Sequence, residues 1–237
     1  MKAIIVGASS GIGKELAYLL SKEGFELGLM ARRTPLLEQI KSDLKTLTFT
    51  SFIDVGKPEE AIHHFEKLIE EMGGLDLVIL NSGVGHLNHE LIWDKEKETI
   101  DVNVFGFTAL AGAAFKHFCK EGTGHIVGIS SIAAIKGNPI APAYNASKAY
   151  MSNYLEGLRI KSHQEKRHIT VTDIKPGFVD TGMAKGEGKF WVAPPRKAAE
   201  QIFQAIKKQK DHAYVTKRWR FIAWMLKSVP DQLYARM

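Results

Sequence analysis

Lys2-Ala3-Ile4-Ile5-Val6-Gly7-Ala8-Ser9-Ser10-Gly11-Ile12-Gly13 decides the fold. Lys2–Val6 is a short apolar run, and it reads as a strand buried on both faces. Glycines at 7, 11 and 13 then turn the chain into a helix predicted from about Gly11 to Ser21. Glycine in such a turn lets backbone come close to a bound anion. The first N–H groups of the following helix are unpaired and carry a partial positive charge. The spacing Gly-x-x-x-Gly-x-Gly differs from the Gly-x-Gly-x-x-Gly pattern of dinucleotide sites. A bare structural turn and a nucleotide cradle are therefore both open, and the place between strand and helix favours the cradle.

Working outward, the same alternation recurs. Strands are predicted at Phe25–Ala31, Leu47–Ile53, Leu75–Leu80, Gly124–Ser130 and His168–Ile174, with a short seventh at His212–Thr216. Helices are predicted at Pro35–Leu44, Pro58–Met72, about Lys95–Lys120, Tyr144–Ser162 and Pro195–Lys208, with Gly106 and Gly112 weakening the third of these. Proline in the first turn suits a helix start. Strands joined by helix-length connections form parallel β-α-β units with right-handed crossovers. The pattern predicts one α/β domain over residues 1–237. Its core is a Rossmann-type, doubly wound, mostly parallel seven-stranded sheet with helices on both faces, followed by a basic, aromatic tail over 217–237.

Composition narrows the class. The chain has 237 residues, 45% of them hydrophobic, which suits a globular domain with a substantial core. Its single cysteine, Cys119, rules out an internal disulfide and reads as a buried packing residue in a reducing compartment, so a cytoplasmic location is expected. No apolar run approaches the roughly 20 residues that span a bilayer. The net charge of +6 concentrates late, in Lys207-Lys208-Gln209-Lys210 and Lys217-Arg218-Trp219-Arg220, without a nucleic-acid-binding motif around it. The nine histidines form no metal motif; His86 and His89 lack the helical setting that such motifs need.

At the end of the second strand, where a site for NAD places an acidic residue on the ribose, the chain has Ala31-Arg32-Arg33-Thr34. Two guanidinium groups there suit a 2′-phosphate, and so NADP over NAD. The other reading is a surface arginine pair.

Tyr144 and Lys148 are four residues apart on a predicted helix and share one face. A phenol titrates near pH 10, and a nearby ammonium favours its ionised form, which makes Tyr144 a candidate general acid or base. Tyr18 and Lys22 have the same spacing but lie within the first helix. Tyr144 instead follows Ser130-Ser131 at the carboxyl end of the fifth strand, where open α/β sheets form their ligand crevice.

With these pieces in place, the sequence resembles the short-chain dehydrogenase/reductase family. The matching segments are Gly7–Gly13, Asp54-Val55, Asn81-Ser82-Gly83, Asn103, Ile129-Ser130-Ser131, Tyr144-Asn145-Ala146-Ser147-Lys148 and Pro176-Gly177-Phe178-Val179-Asp180-Thr181, in order over roughly Lys2 to Thr181. The resemblance implies that Ser131 hydrogen-bonds a substrate carbonyl, Tyr144 donates the proton, Lys148 holds the nicotinamide ribose, and Asn103 anchors a water of the proton relay. It implies cofactor contacts from Gly7, Ser9, Ser10, Gly11, Ile12 and Gly13, from Asp54 and Val55 at the adenine, from Asn81 and Gly83, and from Pro176, Gly177, Val179 and Thr181. It also implies a homodimer or homotetramer, and a lid over the substrate in the region 183–193, which here contains Gly186, Gly188, Phe190 and Trp191. Two departures are visible. Val6 stands where the family usually has Thr, and Leu80 stands where it usually has Asn; the resemblance implies that apolar packing replaces a polar tie between the first and fourth strands.

The expected activity is reduction of a ketone or aldehyde, or oxidation of an alcohol, with NADP(H). A non-catalytic NADP(H)-binding sensor or scaffold is the alternative. For the tail segment Trp219–Leu226, packing within the protein or a dimer, cover for the substrate pocket, and contact with an anionic membrane surface all remain open.

Overall fold

Strand β1 (Lys2–Val6) occupies the middle of the sheet, with Ala3, Ile4, Ile5 and Val6 wholly buried. It pairs in parallel with β2 (Glu26–Ala31) on one side and β4 (Leu77–Leu80) on the other. Beyond them lie β3 (Thr48–Phe52), β5 (Thr123–Ile129), β6 (His168–Pro176) and β7 (His212–Val215), giving the order β3-β2-β1-β4-β5-β6-β7. This computed structural model describes residues 1–182 and 191–234. All six strand pairings are parallel, so the sheet is fully rather than mostly parallel, and the short seventh strand is part of it.

Helices cover both faces. One core layer gathers Phe65 of α3 (Pro58–Met72), Phe118 of α5 (Phe107–Glu121), and Met151 and Leu155 of α6 (Pro142–Gln164) against the sheet. The other gathers Leu16 and Leu20 of α1 (Gly11–Lys22), Leu37 and Ile40 of α2 (Thr34–Asp43), and Ile202 and Phe203 of α7 (Pro195–Lys207). The strand order reverses between β1 and β4. The crevice outside their carboxyl ends is where such sheets hold ligands. Val6 and Leu80 are register partners across this point and both are buried, so the two positions that depart from the family pattern meet as an apolar pair.

The helix predicted over Lys95–Lys120 is not continuous. Helix α4 (Trp93–Ile100) passes into a π-helical turn, Asp101–Gly106, before α5 begins. A Cβ on Gly106 would run into the Val55 carbonyl, so glycine here lets the turn lie against the segment after β3. Single π turns insert one residue and often mark functional positions; this one carries Asn103. Cys119 is only partly rather than fully buried, packed against the margin of the first core layer.

Phe118 is fully buried and fills the space above Gly124 of β5. Phe118→Ala is expected to cost about 3–5 kcal/mol through lost transfer energy and the cavity left behind. In urea unfolding the midpoint should fall steeply with little change in slope.

Candidate active site

The first turn forms a cradle. Gly7 takes a left-handed backbone (φ +89°), and its N–H bonds the Met30 carbonyl at 2.8 Å. A Cβ on Gly13 would press into the Gly7 carbonyl and lie 2.7 Å from the Asn81 amide nitrogen. Asn81 donates to that same carbonyl at 2.8 Å, so one polar tie still joins the crevice ends of β1 and β4. Gly83 follows in the partly buried segment after β4. The Ser10 hydroxyl, at the N-cap of α1, makes no capping bond, and no acidic side chain sits in the first turn. The N–H groups before Gly13 and Ile12 therefore keep their positive potential toward the crevice. Thr181 reaches over from the segment after β6, its methyl against Gly11.

The two arginines diverge. Arg33 donates to the hydroxyls of Ser9 (3.0 Å) and Ser10 (2.9 Å), which fixes its guanidinium over the cradle. Arg32 lines a neighbouring cleft with Asp54, Gly56 and Val102, closed on its far side by Asp94, Lys97, Glu98 and Asp101. The Asp54 side chain accepts from the Gly56 N–H at 3.1 Å, and Val55 is buried behind it.

Ser131, Tyr144 and Lys148 converge at the end of β5. Ser131 caps the short helical turn Ile132–Ala134, its Oγ accepting from Ala133 N at 3.1 Å, and it lies 3.4 Å from the Pro176 carbonyl. Tyr144 is in the first turn of α6, close enough to Ser131 for that hydroxyl to act on its phenol. Burial pushes the phenol up from its ordinary value, and the Ser131 hydroxyl draws it partly back. A Cβ on Gly85 would lie 2.7 Å from the Tyr144 ring, so the loop after β4 forms the opposite wall. Lys148 is 3% exposed, and its Nζ donates to the Ile129 carbonyl at 3.0 Å. The ammonium lies 5.8 Å from the centre of the Tyr144 ring. Burial pulls its pKa down to about 8, with Asp173 acting in the opposite direction.

Asn103 braces this wall. It is fully buried, accepts from Val84 N (2.9 Å), and donates to the Val84 carbonyl (2.8 Å) and to Ser147 Oγ (3.0 Å), between Tyr144 and Lys148 in the chain. Pro176 and Gly177 end β6 beside Ser131, Gly177 N bonds the Val215 carbonyl at 2.6 Å, and buried Val179 forms a bridge with Ala193. The described catalytic and cofactor candidates therefore gather on the carboxyl side of the sheet. By contrast Tyr18, with the same spacing to Lys22, donates to Asp43 at 2.7 Å; burial first, and then Asp43, raises its pKa to about 12.

Three aromatic residues, from the tail, the Pro176–Thr181 segment and the lid region, adjoin the site, together with an ion pair that left no motif in the sequence. Trp219, the first residue of α8 (Trp219–Ser228), is buried with its indole on Gly177. Phe178 and Trp191 meet it edge-on at 5.4 and 6.2 Å. Asp173 and Lys175 form a buried ion pair on β6. Most of the lid region, including Gly186, Gly188 and Phe190, lies outside the described residues.

The model of the short chain dehydrogenase family matches residues 1–190. The chain belongs to the short-chain dehydrogenase/reductase family. An uncharacterised oxidoreductase of Mycobacterium tuberculosis is 33% identical over 224 residues, covering 90% of this chain and 87% of the relative. One of Myxococcus xanthus is 36% identical over 182 residues, covering 75% and 71%. Among solved structures, an alcohol dehydrogenase from Thermococcus sibiricus complexed with 5-hydroxy-NADP superposes with a TM-score of 0.81 at 26% identity, covering 90% of this chain and 94% of that one. This short-chain dehydrogenase/reductase is thus an oxidoreductase that works between an alcohol and a carbonyl with a nicotinamide cofactor. Among its described residues, no helix is long and apolar enough to cross a membrane.

Proposed function

We propose that the chain is an NADP(H)-dependent carbonyl reductase or alcohol dehydrogenase in which Tyr144 is the general acid and base. The observation that carries the reading is the convergence of Ser131 and Tyr144, with the Lys148 ammonium 5.8 Å from the centre of the phenol ring. A bound nicotinamide supplies the hydride to the carbonyl carbon, or accepts it in the reverse direction. Ser131 holds the carbonyl oxygen by a hydrogen bond, and Tyr144 gives that oxygen its proton. Lys148 favours the phenolate left behind and holds the ribose, while Asn103 keeps the Val84–Gly85 wall and α6 in register and anchors a relay water. The open α1 terminus, the close approach at Gly13, and Gly7, Ser9, Ser10, Gly11 and Ile12 around it fit a pyrophosphate. Asp54 and Val55 would meet the adenine, Asn81 and Gly83 would contact the cofactor, and Pro176, Gly177, Val179 and Thr181 would border the nicotinamide and pyrophosphate.

Phosphate preference rests on Arg33, already oriented by two serines, with Arg32 next to the adenine cleft. Arg33→Ala is expected to raise the KM for NADPH about tenfold or more, the loss of one charge-assisted contact, and to leave NADH little changed. Steady-state kinetics with both cofactors check this. The aromatic wall of Phe178, Trp191 and Trp219 beside Ser131 supports an apolar carbonyl substrate. The reading is tested by following NADPH absorbance with ketones and aldehydes from small aromatic to long-chain. Turnover supports a reductase; tight NADPH binding with no turnover on the whole panel supports the sensor.

Two surfaces support partners. Exposed Phe105, with the Thr108–Tyr150 hydroxyl pair (2.8 Å) and the Tyr150–Tyr154 stack, offers a homo-oligomer face on the helices carrying Asn103 and Tyr144. On α8, Trp219 turns inward while Phe221 and Trp224 stay 64% and 66% exposed among exposed Lys217, Arg218, Arg220 and Lys227. Aromatic rings ringed by cations fit an anionic membrane surface. Co-sedimentation with anionic but not neutral vesicles, weakened by Trp224→Ser, is the expected result; no binding to either would remove this contact.

A further inference from the structure

Asp173 stands beside the active site, and the proton chemistry above does not use it. It is 2% exposed. One carboxylate oxygen accepts the Ser130 hydroxyl; the other accepts the Ser152 hydroxyl at 2.6 Å and the Lys175 ammonium. Its partners are neighbours of the catalytic groups. Ser130 immediately precedes Ser131, and Ser152 is one helical turn beyond Lys148 on the same face of α6. Lys148 is itself anchored on the carbonyl of Ile129, whose register partner is Ile174, the residue after Asp173. One buried carboxylate thus ties β5, β6 and α6 together at the point where the three catalytic side chains emerge.

We propose that Asp173 is a positioning residue of this active site: its carboxylate is the fixed negative charge that the Lys148 ammonium faces, and Lys175 sets how strongly that charge is felt. Burial alone strips water from the ammonium and favours the neutral amine. Asp173 opposes this. Lys175 pairs with the same carboxylate and so moderates its field. Few other groups compete. Tyr144, on the same helix, offers its ring face; β5 offers the Ile129 carbonyl and the Ser130 hydroxyl; the turn carrying Asn103 offers a neutral amide. From β7, Tyr214 feels the same carboxylate, which together with burial raises its phenol, while Arg220 lowers it. A buried carboxylate with three donors is costly to assemble, and a charge requirement nearby is a reason to keep it where neutral residues would also pack.

The two charges of the pair give opposite signs. Asp173→Asn removes the attraction and leaves the Lys175 cation unpaired, so Lys148 should lose its proton at lower pH. Lys175→Met leaves the carboxylate undivided, so Lys148 should keep its proton to higher pH. The inference rests on the role proposed for Lys148, and the test is therefore read without turnover. Lysine-labelled, cofactor-free protein is titrated by 13C/15N NMR, with the Lys148 signal identified by its loss in Lys148→Met. The expected wild-type midpoint is about 8. Asp173→Asn should lower it by about one pH unit or more, and Lys175→Met should raise it. A loss of packing alone would not move the midpoint in opposite directions. An unmoved midpoint in Asp173→Asn, or shifts of the same sign in both variants, overturns the proposal. If Asp173→Asn does not fold, Lys175→Met decides, because an unchanged or lowered midpoint there overturns it as well. The alkaline limb of the pH–rate profile should follow the NMR midpoints. A limb that stays put while the midpoints move would leave Asp173 as the counter-charge and remove Lys148 from the reaction.

Discussion

Tyr144→Phe should lower kcat for carbonyl reduction by about 10²- to 10⁴-fold, the range that one positioned general acid supplies. The substitution deletes a single oxygen. The ring keeps its place against Gly85 and beside the Lys148 ammonium, so fold and cofactor affinity should survive. The loss should therefore fall on kcat, with the Kd for NADPH unchanged, as befits a contact realised only in the transition state. Burial holds the phenol above its ordinary value, so Tyr144 stays protonated through neutrality and is ready to donate. Alcohol oxidation needs the ionised form, and its rate should rise with pH where that of reduction does not. A Tyr144→Phe enzyme retaining a tenth or more of wild-type turnover would show that the proton comes from elsewhere.

The elements that carry the fold were legible because each satisfied two local rules at once. Ala3–Val6 is apolar without a break, as a strand covered on both faces must be, and it is followed by glycines that only a tight turn needs. Pro58 and Pro195 mark the starts of their helices to the residue. The Tyr144–Lys148 pair was legible because period 3.6 places both on one face, and the strand before them ends in the crevice. Spacing could not say which atoms meet. The ammonium lies 5.8 Å from the centre of the phenol ring and gives its hydrogen bond to the Ile129 carbonyl, while the phenol meets Ser131. Likewise Arg32 and Arg33 look equivalent in sequence, but just past the end of β2 they part, one to the cleft beside Asp54 and the other to Ser9 and Ser10. The π turn at Asp101–Gly106 was not legible at all. It lies against Val55, about fifty residues away in the chain, and only Gly106 hinted at that close approach. Asp173 and Lys175 escaped for the same reason: the pair's other partners come from other elements, and no local pattern carries a tertiary contact.

Lys148→Met should give a more stable protein that no longer works. In the folded chain the Lys148 ammonium has lost its water, and one carbonyl, the Met151 sulfur and the field of Asp173 only partly replace it, so its pKa stands at about 8 rather than 10.5. At one pKa unit per 1.36 kcal/mol, holding the charge inside at pH 7 costs about 3 kcal/mol of folding free energy relative to the unfolded chain. Methionine has a similar length, no charge, and the adaptability to fill the same channel. The sign can be followed with pH. Below about 8 both folded and unfolded wild-type chains carry the proton, and the variant keeps its full advantage. Between about 8 and 10.5 the unfolded chain binds more protons than the folded one, so wild-type stability rises with pH and the gap closes. Unfolding in urea at pH 7 and at pH 10 reads both halves of this expectation. Turnover should fall by about 10²- to 10³-fold over the same range, as for loss of one fixed electrostatic contact at a reacting centre. A Lys148→Met protein that is less stable than wild type at pH 7 would mean that the ammonium is well solvated in the folded state, and it would undo the case for a buried catalytic charge. A stabilised, inactive variant would instead show that the chain keeps this lysine against its own folding equilibrium, for which catalysis is the only physical reason the site offers.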